Sequence, residues 1–172
     1  AQPLADKEYQ IVRDAAVRAL CNWPDATVAG ELFELARNAD GEPSRNAALR
    51  ALARVLGRQG KDDPQKALDG LREVMTMATR AEDKQLVLTR LTAVRLPGTL
   101  ELAVAALADP ALKATAVDVT VDLAEGLKAS HPNEARAALQ KAALAAEDPP
   151  LQAYIAKLLW NMELKEAKKE GQ

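Results

Sequence analysis

Cys21 and His131 are the only cysteine and the only histidine of the 172-residue chain. A thiolate–imidazole nucleophilic pair would need them in contact, and their separation in sequence does not supply that contact. One cysteine also excludes an intrachain disulfide and a thiolate metal cluster within a single chain. His131 stands between Ser130 and Pro132-Asn133, the setting of a turn or helix start rather than of a general base. Gly57-Arg58-Gln59-Gly60-Lys61 approaches a phosphate-cradling loop. Asp62 follows where a Ser or Thr hydroxyl is required, so these glycines are expected to punctuate helices. Asp118 and Asp122 share a helical face at i,i+4 spacing, and they could hold a cation or activate water only with further ligands. A solvated acidic face is the simpler reading, since a glycoside hydrolase needs carboxylates flanking a pocket. No catalytic residue, cofactor site or metal site is therefore expected.

Composition narrows the elements that could position any site. Apolar residues make up 48% of the chain and charged residues 28%, which excludes disorder by composition. Alanine is abundant, whereas the aromatics reduce to Phe33, Tyr9, Tyr154, Trp23 and Trp160. Good helix formers with few β-formers predict an all-α fold. The formal charge of −2 offers no general attraction to phosphate backbones, so no nucleic-acid partner is expected. No run approaches the roughly 18 apolar residues that span a bilayer, so no direct membrane insertion is expected. The start, Ala1-Gln2-Pro3-Leu4, lacks both an initiator Met and a hydrophobic signal region. A cleaved, exported protein would begin in this way, and a periplasmic or secreted location is the expectation over a cytoplasmic one.

Helical periodicity and breakers divide the chain repeatedly. Helices are predicted from about Lys7 to Cys21, Ala26 to Ala39, Ser44 to Arg58, Pro64 to Thr79 and Ala81 to Val94. Others follow from Thr99 to Ala108, Asp109 to Ser130, Glu134 to Ala146, and Pro149 to Met162. Tyr9, Ile11, Val12, Ala15, Ala16, Ala19 and Leu20 form the expected apolar face of the first. The Val-Asp-Val-Thr-Val-Asp alternation in the seventh imitates a strand, but the flanking helical period and the absence of partner strands favour helix. Trp23 before Pro24 and Leu96 before Pro97 are expected to plug the end of the core at equivalent turns. Short links force successive helices to be neighbours. The result is four antiparallel helix pairs plus a C-terminal helix, a single domain over 1–172 whose tail at 164–172 is expected to fray or merely to extend the last helix.

The phrase Arg13-Asp14-Ala15-Ala16-Val17-Arg18-Ala19-Leu20 returns as Arg45-Asn46-Ala47-Ala48-Leu49-Arg50-Ala51-Leu52. Asp109-Pro110 and Asp148-Pro149 mark a similar recurrence, so the unit is about 30 to 40 residues. This pattern resembles HEAT-type repeats, loosely across Val12 to Met162 and at phrase level in the first two units. The resemblance implies a right-handed α-solenoid. More narrowly, Ala19-Leu20-Cys21-Asn22-Trp23-Pro24-Asp25 followed by Leu32-Phe33-Glu34-Leu35-Ala36 resembles bacterial HEAT-like domains within larger, often exported proteins.

That resemblance implies a non-catalytic module for protein interaction or for packing against other domains of the same polypeptide. The second helices of HEAT-like pairs line an inner wall, which the resemblance places near Glu31, Glu34, Arg37, Arg72, Glu73, Glu101, Arg136 and Gln140. Two alternatives stand beside it. One is an accessory domain of a carbohydrate-processing enzyme; the other is a DNA-binding or glycosylase-like HEAT protein. The second would require a basic wall, and Glu31 and Glu34 beside Arg37, with Glu73 beside Arg72, mix the signs.

Overall fold

Proline and aspartate set the helix starts. The computed structural model describes the backbone of residues 2–170 and, apart from 2–8, 166, 169 and 170, their side chains. Its helices are α1 (Gln2–Cys21), α2 (Ala29–Asn38), α3 (Glu42–Gln59), α4 (Pro64–Met77) and α5 (Ala81–Leu91). They continue with α6 (Pro97–Ala106), α7 (Lys113–Leu127), α8 (Pro132–Ala145) and α9 (Pro149–Glu170), and a 3-10 turn, Ala26–Val28, precedes α2. No strand occurs among the described residues. Pro43, Pro64, Pro97 and Pro132 occupy first-turn positions, where the missing N–H costs no hydrogen bond. Asp63 caps α4 by accepting the Lys66 N–H at 3.1 Å, and Asp148 accepts the Leu151 N–H at 3.1 Å in the first turn of α9. Asp109 and Pro110 form a turn before α7 rather than its first residues, because the Asp109 carboxylate accepts the Ala111 N–H at 2.9 Å.

Each helix packs on its chain neighbour, and those other than α2 and α9 also have a principal contact with a helix two places away. Thus α1 meets α3, α3 meets α5 and α5 meets α7, while α4 meets α6 and α6 meets α8. The odd-numbered helices form one layer and the even-numbered helices the other, an all-α solenoid of helix pairs. One apolar core runs between the layers, with Leu32, Leu52, Leu71, Leu88, Leu91, Leu123, Leu139 and Ile155 fully buried along its length. The alternating valines of α7 fit this arrangement. Neighbours α5, α6 and α8 enclose that helix, so Val117, Val119 and Val121 are all buried and Asp118, Asp122 and Gly126 form its solvent stripe. Leu56 packs so closely on Gly70 of α4 that a Cβ there would lie 2.8 Å from a leucine methyl.

The two ends depart from the expected pattern. Tyr9, Ile11 and Val12 are exposed rather than core-facing, at 72%, 59% and 67%, because α1 has a layer neighbour on one side alone. Leu20 and Cys21 supply its partly buried contacts. Trp23 does not plug the core: it is 47% exposed, and its indole N–H donates to Thr27 Oγ1 at 3.2 Å. Leu96, its counterpart, is half-buried against the core. At the other end Trp160 is exposed. Helix α9 continues to Glu170 through the stretch expected to fray or to extend it, and residues 171 and 172 lie outside the described residues, as does Ala1.

Polar side chains clasp successive pairs. Arg50 on α3 donates through Nε to Asp83 Oδ1 on α5 at 2.7 Å, and Lys113 Nζ on α7 reaches Glu147 before α9 at 2.6 Å. Arg13 pairs with Asp40. Other clasps use backbone acceptors. Arg54 donates to the carbonyls of Cys21 and Trp23, Arg58 to that of Pro24, Gln85 to that of Ala111, and Arg95 to that of Asp122. Arg50 thus braces one helix pair against the next.

Candidate functional site

The even-numbered layer holds every residue expected on the inner wall. Glu31, Glu34 and Arg37 lie on α2, Arg72 and Glu73 on α4, Glu101 on α6, and Arg136 and Gln140 on α8. The structure joins five of them, Glu34, Arg37, Arg72, Glu73 and Glu101, into two charged links. Arg37 donates to Glu34 at 2.8 Å and also to Glu73, which ties α2 to α4. Arg72 lies 3.6 Å from Asp69 on its own helix and 3.7 Å from Glu101, which ties α4 to α6. The two carboxylates hold the Arg37 cation and raise its pKa, the Glu73 hydrogen bond contributing most.

A shallow cavity of about 660 Å³ opens at the α2 end of this line, bordered by Gly30, Glu31, Phe33, Glu34 and Arg37. The Arg37 guanidinium stands over the Phe33 ring, 5.5 Å from its centroid, in cation–π geometry. Phe33 and Asn38, which donates to Glu34 Oε2 at 3.0 Å, were not among the expected residues. Helical spacing from Arg37 to Phe33 is the signal that could have found the ring. On α8, Arg136 is half-buried and Gln140 exposed.

The residues screened for chemistry take structural positions. His131 stands at the N-cap position of α8 without a side-chain cap hydrogen bond, its Nδ1 3.0 Å from Ser130 Oγ, and Cys21 ends α1, half-buried. Burial pushes the Cys21 thiol pKa up, against a smaller lowering by the Arg54 charge. Their helices share no principal contact. Asp122 lies 3.5 Å from Arg95 Nη2, and Asp118 is exposed. Gly60 ends α3 as expected, but Gly57 sits inside that helix, where its missing side chain leaves space for Arg90. Among the described residues no group of three His, Cys, Asp or Glu could hold a metal, and no helix is long and apolar enough to cross a membrane.

The arrangement can therefore present alternating charge over successive helices, with one aromatic ring at its edge. The family model of HEAT repeats matches residues 2–91, slightly more than half of the chain. Neither curated proteins nor solved structures return a match. HEAT repeats generally act as protein-interaction scaffolds and are typically non-catalytic. The recurring phrase, the two layers of paired helices and this match lead to one assignment: the chain belongs to the HEAT repeat family.

Proposed function

We propose that the chain is a non-catalytic scaffold that holds a protein partner, or another domain of the same polypeptide, against its even-numbered layer. The observation that carries this reading is the charged line from Glu34 and Arg37 through Glu73 to Arg72 and Glu101, which crosses three successive helices. Side chains held by ion pairs lose less freedom when a partner docks, so the layer is a preorganised polar surface. Pairing also favours recognition over acid–base chemistry, since Glu34, Glu73 and Glu101 each face an arginine. Phe33 and Arg37 are residue types that anchor interfaces.

Affinity capture with the wild-type chain and with Arg37→Glu tests the proposal. A discrete partner retained by the first and lost from the second is expected, with both proteins equally helical by circular dichroism. A partner held equally by both would overturn the placement on this layer. A turnover activity that survives purification and disappears on Glu31→Gln would overturn the non-catalytic reading.

A further inference from the structure

The outward side of the odd-numbered layer, opposite the line on α2, α4 and α6, carries its two signs of charge on different helices. On α3, Arg50, Arg54 and Arg58 recur at i, i+4 and i+8, and the one acid of that helix, Glu42, stands at its other end. Arg90 of α5 is exposed beside them, packed on Gly57. Arg50 is paired with Asp83, but Arg54, Arg58 and Arg90 have no carboxylate within ion-pair distance among the described residues. Arg54 and Arg58 each use one Nη on backbone carbonyls and keep their charge. Asp25, Asp62 and Asp63 stand in the turns after α1 and α3, where Asp25 and Asp63 accept the N–H groups of Thr27 and Lys66. On α7 the solvent stripe of Asp118, Asp122 and Gly126 holds no cation, and the one cation of that helix, Lys113, reaches Glu147. Asp122 lies 3.5 Å from Arg95, and Asp118 has no cation within ion-pair distance among the described residues. Between the two stripes lies α5, in contact with both helices. Its outward ridge is uncharged at Leu86, Thr89 and Ala93, while Glu82 at its start pairs with Arg80.

We infer that two copies of the chain associate through this outward face, as a two-fold dimer in which the arginine stripe of each lies over the aspartate stripe of the other. A two-fold axis in the plane of the face and along α5 sets α5 against its symmetry mate and exchanges the α3 and α7 sides. The patch then complements itself, which a closed two-fold interface requires. Val94 closes on Gly60 and Arg95 on Gly126, so the C-terminal ends of α3, α5 and α7 lie side by side. That axis therefore brings the two stripes together at a common level. The centre of the interface is the uncharged ridge of α5, and the ion pairs fall on its rim, the distribution found in protein interfaces. Exposed charge holds such a dimer, so it is weak and dissociates as salt shortens the screening length. The even-numbered layer stays open in it, and the inference stands or falls apart from the scaffold reading.

Sedimentation equilibrium of the full chain tests this, from about 1 µM to about 1 mM at low salt and again at about 0.5 M salt, where the dimer is expected to be lost. Two variants reverse one stripe each, Arg58→Glu/Arg90→Glu and Asp118→Lys/Asp122→Lys. Either alone is expected to weaken self-association at least about ten-fold, because like charges then face each other. An equimolar mixture of the two is expected to recover it to within about three-fold, since each acidic stripe again faces a basic one. Circular dichroism checks that the variants fold. The neutral Asp118→Asn, expected to lose about three-fold, serves where a reversal does not fold. A wild-type chain that stays monomeric at low salt overturns the inference. So does self-association that both reversals leave unchanged, or that the mixture of folded variants does not restore. Self-association indifferent to the stripes but lost on Val12→Glu would refute this face and place the contact on α1. Arg37→Glu, on the opposite layer, should leave the dimer intact, and its loss there would refute the placement as well.

Discussion

Replacing Arg50 with alanine tests whether charge, in addition to packing, joins the second helix pair to the third. Asp83 is 2% exposed; its Oδ1 receives Arg50 Nε at 2.7 Å. Its Oδ2 is buried without a hydrogen-bond partner and lies 3.9 Å from Arg80 Nε. Removing one member of a fully buried pair costs about 3–5 kcal/mol, because the remaining charge is left uncompensated. An exposed pair contributes only about 0–1 kcal/mol. The Arg50 side chain is 50% exposed, and Asp83 sits in the first turn of α5, where the helix dipole partly offsets a lost cation. The cost expected for Arg50→Ala is therefore about 2 kcal/mol. At about 2.1 cal/mol/K of unfolding entropy per residue, that lowers the thermal midpoint of the 172-residue chain by roughly 5–6 °C. A double-mutant cycle with Asp83→Ala, followed by chemical denaturation, should return a coupling of about 1.5 kcal/mol. Hydrogen exchange should quicken first in α5. A coupling under about 0.5 kcal/mol would refute the argument and assign the junction to packing of Leu49, Leu52, Val87 and Leu88.

Gly30→Ala should raise stability by about 0.5–1 kcal/mol, since nothing lies within 4 Å of the added Cβ and alanine is the better helix former. Gly70→Ala should instead destabilise by about 1–2 kcal/mol, because Leu56 stands 2.8 Å away; urea titration of the pair separates propensity from crowding. The Tyr154 hydroxyl, more than Lys128, holds the Glu125 carboxyl below its ordinary pKa. Since the folded value is depressed, this contribution is present above the unfolded pKa of about 4.3 and is lost as pH falls through the folded value. Acid loosening of α9, followed by hydrogen exchange, should therefore begin at higher pH in Tyr154→Phe than in wild type; identical profiles would sink the assignment. Cys21, half-buried with its thiol pKa raised, should alkylate at neutral pH more slowly than a free cysteine, and equal rates would show that its burial is not maintained in solution.

The alternation of helices was readable because breakers and caps are local: Pro64 after Asp63, and Pro149 after Asp148, start helices through their own geometry. What could not be read was the neighbourhood of each helix. Tyr9, Ile11 and Val12 have the same periodicity as buried residues of α3, yet a terminal helix has fewer neighbours to cover them. The family resemblance put the polar line on the second helices of the pairs, which are α2, α4, α6 and α8. The pairing of Arg37 with Glu73 depends on how α2 sits against α4, which no spacing within either helix records.

The arginine clasps to backbone carbonyls have one further consequence. A carboxylate partner vanishes when its residue is replaced, but the carbonyls of Cys21, Trp23 and Pro24 remain whatever side chains stand at those positions. Arg54 and Arg58 consequently fasten to the shape of the preceding turn, and the turn's amino acids are free to drift. A duplicated unit can join such a stack without a compensating change in its neighbour. The spelling of the turns can then be lost while the bond that reads them persists.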